Sequence, residues 1–81
     1  MNLVELKDKL ESLEVPAEYY SLDGGLFPDR LILDNIFGKK WIVFYFSEKG
    51  LRDREMTFST EEEACNYIYR IFLEQKDLKL F

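Results

Sequence analysis

Histidine is absent from this sequence, and cysteine occurs once, at Cys65. Without histidine the chain lacks the commonest general base and the commonest zinc ligand, and no Ser-His or Cys-His pair can form. A lone cysteine cannot close an internal disulfide, and the sequence opens without a basic and then apolar leader. These features predict a protein of the reducing cytoplasm without histidine-based catalysis.

Long apolar runs are also missing. The longest, Trp41–Phe46, has six residues, whereas a membrane-spanning helix needs about 20. Basic residues are in the minority, with 11 against 16 acidic residues and a net charge of −5. This charge disfavours nucleic acid as a direct partner and favours a basic protein. The 81 residues, of which 47% are hydrophobic, predict one globular domain over residues 1–81.

The remaining reactive side chains do not predict an enzyme or a cofactor. Cys65 follows Ala64 in a helical pattern, soon after three glutamates, so we expect a buried structural thiol. The acidic run Glu61–Glu63 fits the first turn of a helix, where carboxylates offset the helix dipole. Asp23-Gly24-Gly25 lacks the spacing and the lysine of a phosphate-binding loop and predicts a turn.

Two segments carry helical patterns. The first helix is predicted from a capping box of Asn2 and Glu5 and from leucines that share one face: Leu3, Leu6, Leu10 and Leu13. The second follows Ser59 and Thr60, each of which stands three residues before a glutamate, so two capping registers stay open. We expect this helix to end near residues 75–77 and to bury one face, formed by Ala64, either Tyr67 or Ile68, Ile71 and Phe72.

Three strands are predicted between the helices. Lys40–Ser47 is too short for a buried helix and is rich in β-branched and aromatic residues. Leu31–Ile36 precedes it and Arg54–Phe58 follows it, whereas Tyr19–Gly25 reads as an irregular connection. The predicted fold is therefore α+β in the order α-β-β-β-α, with a three-stranded antiparallel sheet packed against two helices.

The central strand has no polar face, so the sequence leaves its orientation to be inferred. We assign Ile42, Phe44 and Phe46 to the helix side, because the Trp and Tyr of the other set carry polar atoms that favour water or a partner. This assignment predicts an exposed aromatic patch of Trp41, Val43 and Tyr45 beside Asp34 and Glu55, with the loop acids Asp23, Asp29, Glu48 and Asp53 as further partner-binding candidates. A helix, the 19–27 segment or the C-terminal tail could cover the patch instead.

Three stretches, taken together and in order, resemble small bacterial immunity proteins of polymorphic toxin systems. They are the segment Tyr20–Gly25, a strand around Trp41 that leads into Tyr-x-Ser-Glu-Lys-Gly at Tyr45–Gly50, and Phe58-Ser-Thr-Glu-Glu-Glu-Ala-Cys-x-Tyr67. One departure is the insertion of Leu26 and Phe27 before Pro28, where such proteins tend to have a proline soon after the double glycine. The resemblance implies a cytoplasmic, non-enzymatic protein that binds and neutralises a toxin domain, and it implies no catalytic residue.

Two functions follow as expectations. The first is an immunity-type inhibitor whose acidic surface steers it to a basic toxin domain and whose aromatic patch anchors the complex. The second is a small non-catalytic adaptor that binds a ligand or a peptide, for example by adding a strand to the open edge of the first or third predicted strand. An exposed sheet face would serve equally well as a homodimer contact.

Overall fold

Two helices flank a sheet in a computed structural model that describes all 81 residues. The elements in chain order are α1 (Leu3–Ser12), a single 3-10 turn (Ala17–Tyr19), β1 (Tyr20–Ser21), β2 (Arg30–Ile36), β3 (Lys40–Phe46), β4 (Arg52–Phe58) and α2 (Glu61–Asp77). The strands lie side by side in the order in which the chain visits them. The predicted α+β class is confirmed.

The sheet is mixed and has four strands, so the predicted three-stranded antiparallel sheet is wrong in this detail. β2, β3 and β4 form the expected antiparallel meander, and β1 adds a parallel edge through the pairs Tyr20 with Leu31 and Ser21 with Ile32. The extra strand forms because the Tyr20 ring packs edge-to-face against Phe72 in the core, at 6.0 Å between centroids. That packing holds the backbone of a turn-rich segment alongside β2.

Local capping explains where both helices begin. The Asn2 side chain accepts the Glu5 N–H at 2.9 Å, and the Glu5 carboxylate accepts the Asn2 N–H at 3.0 Å, which completes the predicted capping box. For α2 the cap is Thr60, whose hydroxyl oxygen accepts the Glu63 N–H at 3.2 Å. Neither helix is long and apolar enough to cross a lipid bilayer.

The start of α2 also holds the start of α1. The Glu61 carboxylate accepts the Leu3 N–H at 2.8 Å, and the Glu62 carboxylate lies 3.9 Å from the N-terminal ammonium group. A free N–H at a helix start needs an acceptor, so Glu61 serves both helices at once. Two of the three glutamates in the run Glu61–Glu63 thus help to hold the start of α1 against the start of α2.

The main core lies between the helices and the side of β3 that carries Trp41, Val43 and Tyr45. Val43 is fully buried there and Trp41 packs against the same cluster, whose buried members are Leu6, Leu10, Val15, Tyr20, Leu33, Val43, Ala64, Cys65, Ile68 and Phe72. The predicted orientation of β3 is thus wrong. The strand pairing gives the reason, because Val43 stands opposite Leu33, whereas Ile42 stands opposite the charged Asp34.

A second, smaller apolar layer lies on the other side of the sheet, where Ile32 and Phe44 are fully buried. The Arg52 guanidinium lies over the Phe44 ring at 4.4 Å from its centroid. Gly24, in the loop between β1 and β2, lies against the Asp34 side chain, which shares the face of Ile32. The β1–β2 loop and the Arg52 side chain therefore cover part of this face, which no helix covers.

An irregularity shapes the edge strand β4. Val43 pairs with Met56 and Tyr45 pairs with Asp53, so two residues of β4 stand opposite the single residue Phe44. Arg54 lies in this bulge with a φ of +55°, a conformation that side-chain-bearing residues rarely adopt. The strand begins at Arg52, two residues before the predicted Arg54, because Arg52 and Asp53 pair with β3 ahead of the bulge.

Candidate protein-binding cleft

The predicted aromatic patch does not exist as one exposed surface. Val43 is fully buried and Trp41 is half-buried, both against the helices, so neither is presented as an anchor on the outer face of the sheet. Tyr45 lies on the same side as these residues but further along the strand, and 37% of it is exposed. Tyr45 is therefore the most exposed of the three residues.

Tyr45 lines a cleft at the end of the sheet where β3 leads into β4. The cleft has a volume of about 520 Å³, and it lies between the C-terminal half of α2, the 3-10 turn and the strands. Its walls are mainly apolar and include three tyrosines; the lining residues are Tyr19, Asp29, Leu31, Tyr45, Arg54, Tyr67, Ile71, Phe72, Glu74, Gln75 and Leu78. A concave apolar surface with few polar groups is the usual form of a binding site.

One of the predicted loop acids, Asp29, lines this cleft, and two others, Glu48 and Asp53, lie near Tyr45. The Tyr45 hydroxyl donates a hydrogen bond to Asp29 at 3.0 Å, and Asp53 is the cross-strand neighbour of Tyr45. Burial raises the pKa of Tyr45, and the hydrogen bond to Asp29 and the negative charges of Asp29 and Glu48 raise it further. The surroundings of the hydroxyl are therefore negative, which favours cationic groups.

Strand geometry and backbone conformation place the charged residues of this rim. Asp29, with a φ of +58°, lies at the end of the β1–β2 loop, where its N–H donates to the Phe46 carbonyl at 2.7 Å. The bulge brings Arg54 to the cleft as its one lining cation, and Asp29 and Glu74 are the two lining carboxylates. No carboxylate lies within ion-pair distance of Arg54.

The other three predicted acids do not join the cleft. Asp34 lies on the opposite side of the sheet under Gly24, and Glu55 pairs with Arg52 at 3.6 Å. Asp23 accepts the Gly25 N–H and the Ser21 hydroxyl, each at 3.0 Å, and these bonds lower its pKa. These three carboxylates support a loop and the outer layer, which is a structural use of their charge.

Sequence reasoning missed four lining residues that bear on binding: Tyr19, Arg54, Tyr67 and Glu74. The helical pattern does point to Tyr67, as an alternative to Ile68 on the buried face of the second helix. The structure buries Ile68 completely and leaves Tyr67 half-buried at the border of the cleft. Nothing in the sequence points to Arg54, because its position depends on the bulge.

The cleft is lined by aromatic, aliphatic and charged side chains. No three of the Asp, Glu and Cys side chains come together closely enough to hold a metal ion. The single thiol, Cys65, is buried in the core, where burial raises its pKa to about 11. Aromatic walls and a mainly acidic rim fit a cationic side chain flanked by apolar contacts.

Comparisons with known proteins give no assignment for this chain: no protein-family model, curated protein or solved structure matches it.

Proposed function

We propose that this chain is an immunity-type protein that binds a basic bacterial toxin domain and neutralises it by occupying its surface, without catalysis. The observation that supports the proposal best is the cleft around Tyr45. It combines tyrosine walls with the carboxylates of Asp29 and Glu74, and with the charge of Glu48 acting on Tyr45, in a chain whose net charge is −5. Tyrosines supply contact area at low entropic cost, and carboxylates select a basic partner.

The two parts of the cleft would have different roles in binding. The acidic rim attracts a basic partner over distance and raises the association rate, an effect that salt screens. The tyrosines Tyr19, Tyr45 and Tyr67 hold the bound surface and slow dissociation. A Lys or Arg side chain of the toxin would lie among their rings, with its charge near Asp29.

The first test is neutralisation in cells. The chain should be co-expressed with the toxin domain encoded by the adjacent gene, and growth should be scored with and without it. We expect rescue by the wild type and loss of rescue for the paired substitution Tyr45→Ser with Glu74→Lys. A toxin that stays fully active in the presence of the folded chain would disprove the immunity role.

The second test separates the rim from a general effect of charge. Glu74→Lys and Asp8→Lys change the net charge equally, but Glu74 lines the cleft and Asp8 is an exposed residue of α1 outside it. We expect Glu74→Lys to slow association with the toxin at least about tenfold at low salt and Asp8→Lys to slow it much less. Equal effects would place the binding surface elsewhere.

An adaptor that adds a peptide strand to the sheet is the alternative, and one observation bears on it. β1 already occupies the edge of β2 at Leu31 and Ile32, so the remaining long free edge is that of β4. The bulge at Arg54 and the charged residues around it are features that discourage strand addition. Protection of the Arg52–Phe58 amides from hydrogen exchange on peptide binding would favour the adaptor.

A further inference from the structure

The hairpin turn between β2 and β3 carries an unusual residue. Phe37 and Gly38 have φ values of +54° and +70°, and the Lys39 N–H donates to the Ile36 carbonyl at 3.1 Å. Two successive left-handed residues form the tight turn that normally prefers Asn-Gly or Asp-Gly. A phenylalanine at this position costs free energy in two ways. Its backbone adopts a left-handed conformation that non-glycine residues rarely take, and its ring, 93% exposed, lies in water. Local folding therefore does not explain Phe37.

The surroundings of Phe37 give this tip a distinct chemistry. Ile36 is 36% exposed beside it, and Lys39 and Lys40 follow it without an ion-pair partner. No acidic residue occurs from Asn35 to Lys40. The hairpin tip (Ile36–Lys40) of this acidic protein therefore presents an exposed aromatic ring next to two lysines that form no ion pair.

The cleft around Tyr45 is the matching surface on the same chain. It is lined mainly by apolar side chains and bears two carboxylates, Asp29 and Glu74, against one cation, Arg54, with the charge of Glu48 also acting on Tyr45. A dry cavity of roughly 150 Å³ is enough to bind benzene, and this cleft of about 520 Å³ has room for the ring of Phe37. Aromatic rings against Tyr19, Tyr45 and Tyr67 pack favourably edge to face.

A molecule cannot fill its own cleft with its own tip. Lys40 begins β3 next to the hairpin tip, and Tyr45 lies near the other end of the strand. At about 3.3 Å per residue, the two sites are some 16 Å apart along a rigid strand. Any contact between them must therefore join two molecules.

We propose that this chain associates with a second copy of itself, with the hairpin tip of one molecule docked in the cleft of the other. Phe37 enters between the tyrosines, and Lys39 and Lys40 lie against the acidic rim. The contact is small, so the association is weak and depends on concentration. It does not require a toxin, and it would compete with any partner that uses the same cleft.

Sedimentation velocity on the purified wild-type chain tests the proposal up to about 1 mM, since an interface of this size binds weakly. We expect the average mass to rise from one chain at low concentration toward two or more at high concentration. Amide NMR spectra over the same series should change at the hairpin tip and around the cleft. A chain that stays monomeric at the highest concentration, or shifts confined to β4, would overturn the proposal.

Two substitutions, each with a control, identify the contact. Phe37→Asn removes the anchor and suits the turn better, so the variant should fold at least as well and stay monomeric. Val4→Asn removes another exposed apolar side chain, 71% exposed on α1, and should leave association unchanged. Glu74→Lys should weaken it at least about tenfold, and Asp8→Lys should not. Association that survives Phe37→Asn would rule out the tip.

These measurements use the chain alone, so their outcome is independent of the toxin experiments. Failure of self-association would leave the immunity role standing. Failure of the wild-type chain to rescue growth, with a normal monomer–dimer equilibrium, would remove the immunity role and leave the self-contact. If Phe37→Asn both abolishes association and improves rescue, the self-contact and the toxin use the same cleft.

Discussion

At the scale of single residues, Cys65 shows how burial controls reactivity. It is fully buried in the core, and burial raises the pKa of its thiol to about 11, with the charge of Glu61 adding to the rise. The thiolate is the reactive form. We therefore expect a thiol reagent to label Cys65 slowly in the folded protein and rapidly in denaturant. Equal labelling rates in the two states would contradict its burial.

The same shift predicts how stability depends on pH. In the unfolded chain the thiol has a pKa near 9.0 and in the folded chain near 11. Between these values the unfolded state gives up its proton first, so it is favoured as pH rises. The difference in the free energy of unfolding between wild type and Cys65→Ala should be largest below pH 9 and should decrease as the pH rises toward 11. Urea unfolding of both proteins at the two extremes measures this difference.

Phe44 is a residue whose burial is independent of the helices. It is fully buried on the outer face under Arg52, so Phe44→Ala should lower the free energy of unfolding by about 3–5 kcal/mol. Phe37→Ala, at a 93% exposed position, should change it by less than about 0.5 kcal/mol. Denaturation midpoints of the two variants give the comparison, and similar midpoints would mean that the outer layer is not a second core.

At the scale of elements, the start of α2 offers a test between two adjacent residues. The sequence leaves Ser59 and Thr60 as alternative caps, and the structure assigns the cap to Thr60, which accepts the Glu63 N–H. Thr60→Ala should therefore cost about 1 kcal/mol of stability. Ser59→Ala should cost close to nothing, and a larger loss for Ser59→Ala than for Thr60→Ala in urea unfolding would reverse the assignment.

At the scale of the whole molecule, one core joins nearly all the elements. The main cluster takes buried residues from α1, β1, β2, β3 and α2, and Phe58 of β4 packs against it. We expect a single cooperative unfolding transition, because no element has a core of its own. Fluorescence of Trp41, the only tryptophan, should follow the same curve as far-ultraviolet circular dichroism. Two separate midpoints would contradict a single domain.

Features that depend on neighbouring residues could be predicted from the sequence. The Asn2–Glu5 capping box, the hairpin turns at Gly38 and Gly50 and the end of α2 near Asp77 all lie where the sequence pattern places them. Each is fixed by hydrogen bonds or backbone conformations within a few residues, so local composition is sufficient evidence. The α+β class follows from the order of these elements.

The site was predicted only in fragments. Of the candidate partner-binding residues, Tyr45 and Asp29 line the cleft, and Glu48 and Asp53 lie near Tyr45, whereas Trp41 and Val43 belong to the core. Asp23, Asp34 and Glu55 support other parts of the fold. Residue types in the sequence indicate which side chains have suitable chemistry, but only the fold determines which of them lie close together.

The sequence by itself determined the helices, the meander and the acidic surface of this protein, because these follow from local pattern and from composition. Only the tertiary structure decided which side of β3 faces the helices, because both sets of its side chains are apolar. The pairing of Val43 with the buried Leu33 places the Val43 side of the strand against the helices. The parallel strand β1 and the cleft are likewise tertiary. The strand β1 depends on packing between residues distant in sequence, such as Tyr20 with Phe72. The cleft depends on a bulge at Arg54 that local residue preferences do not predict.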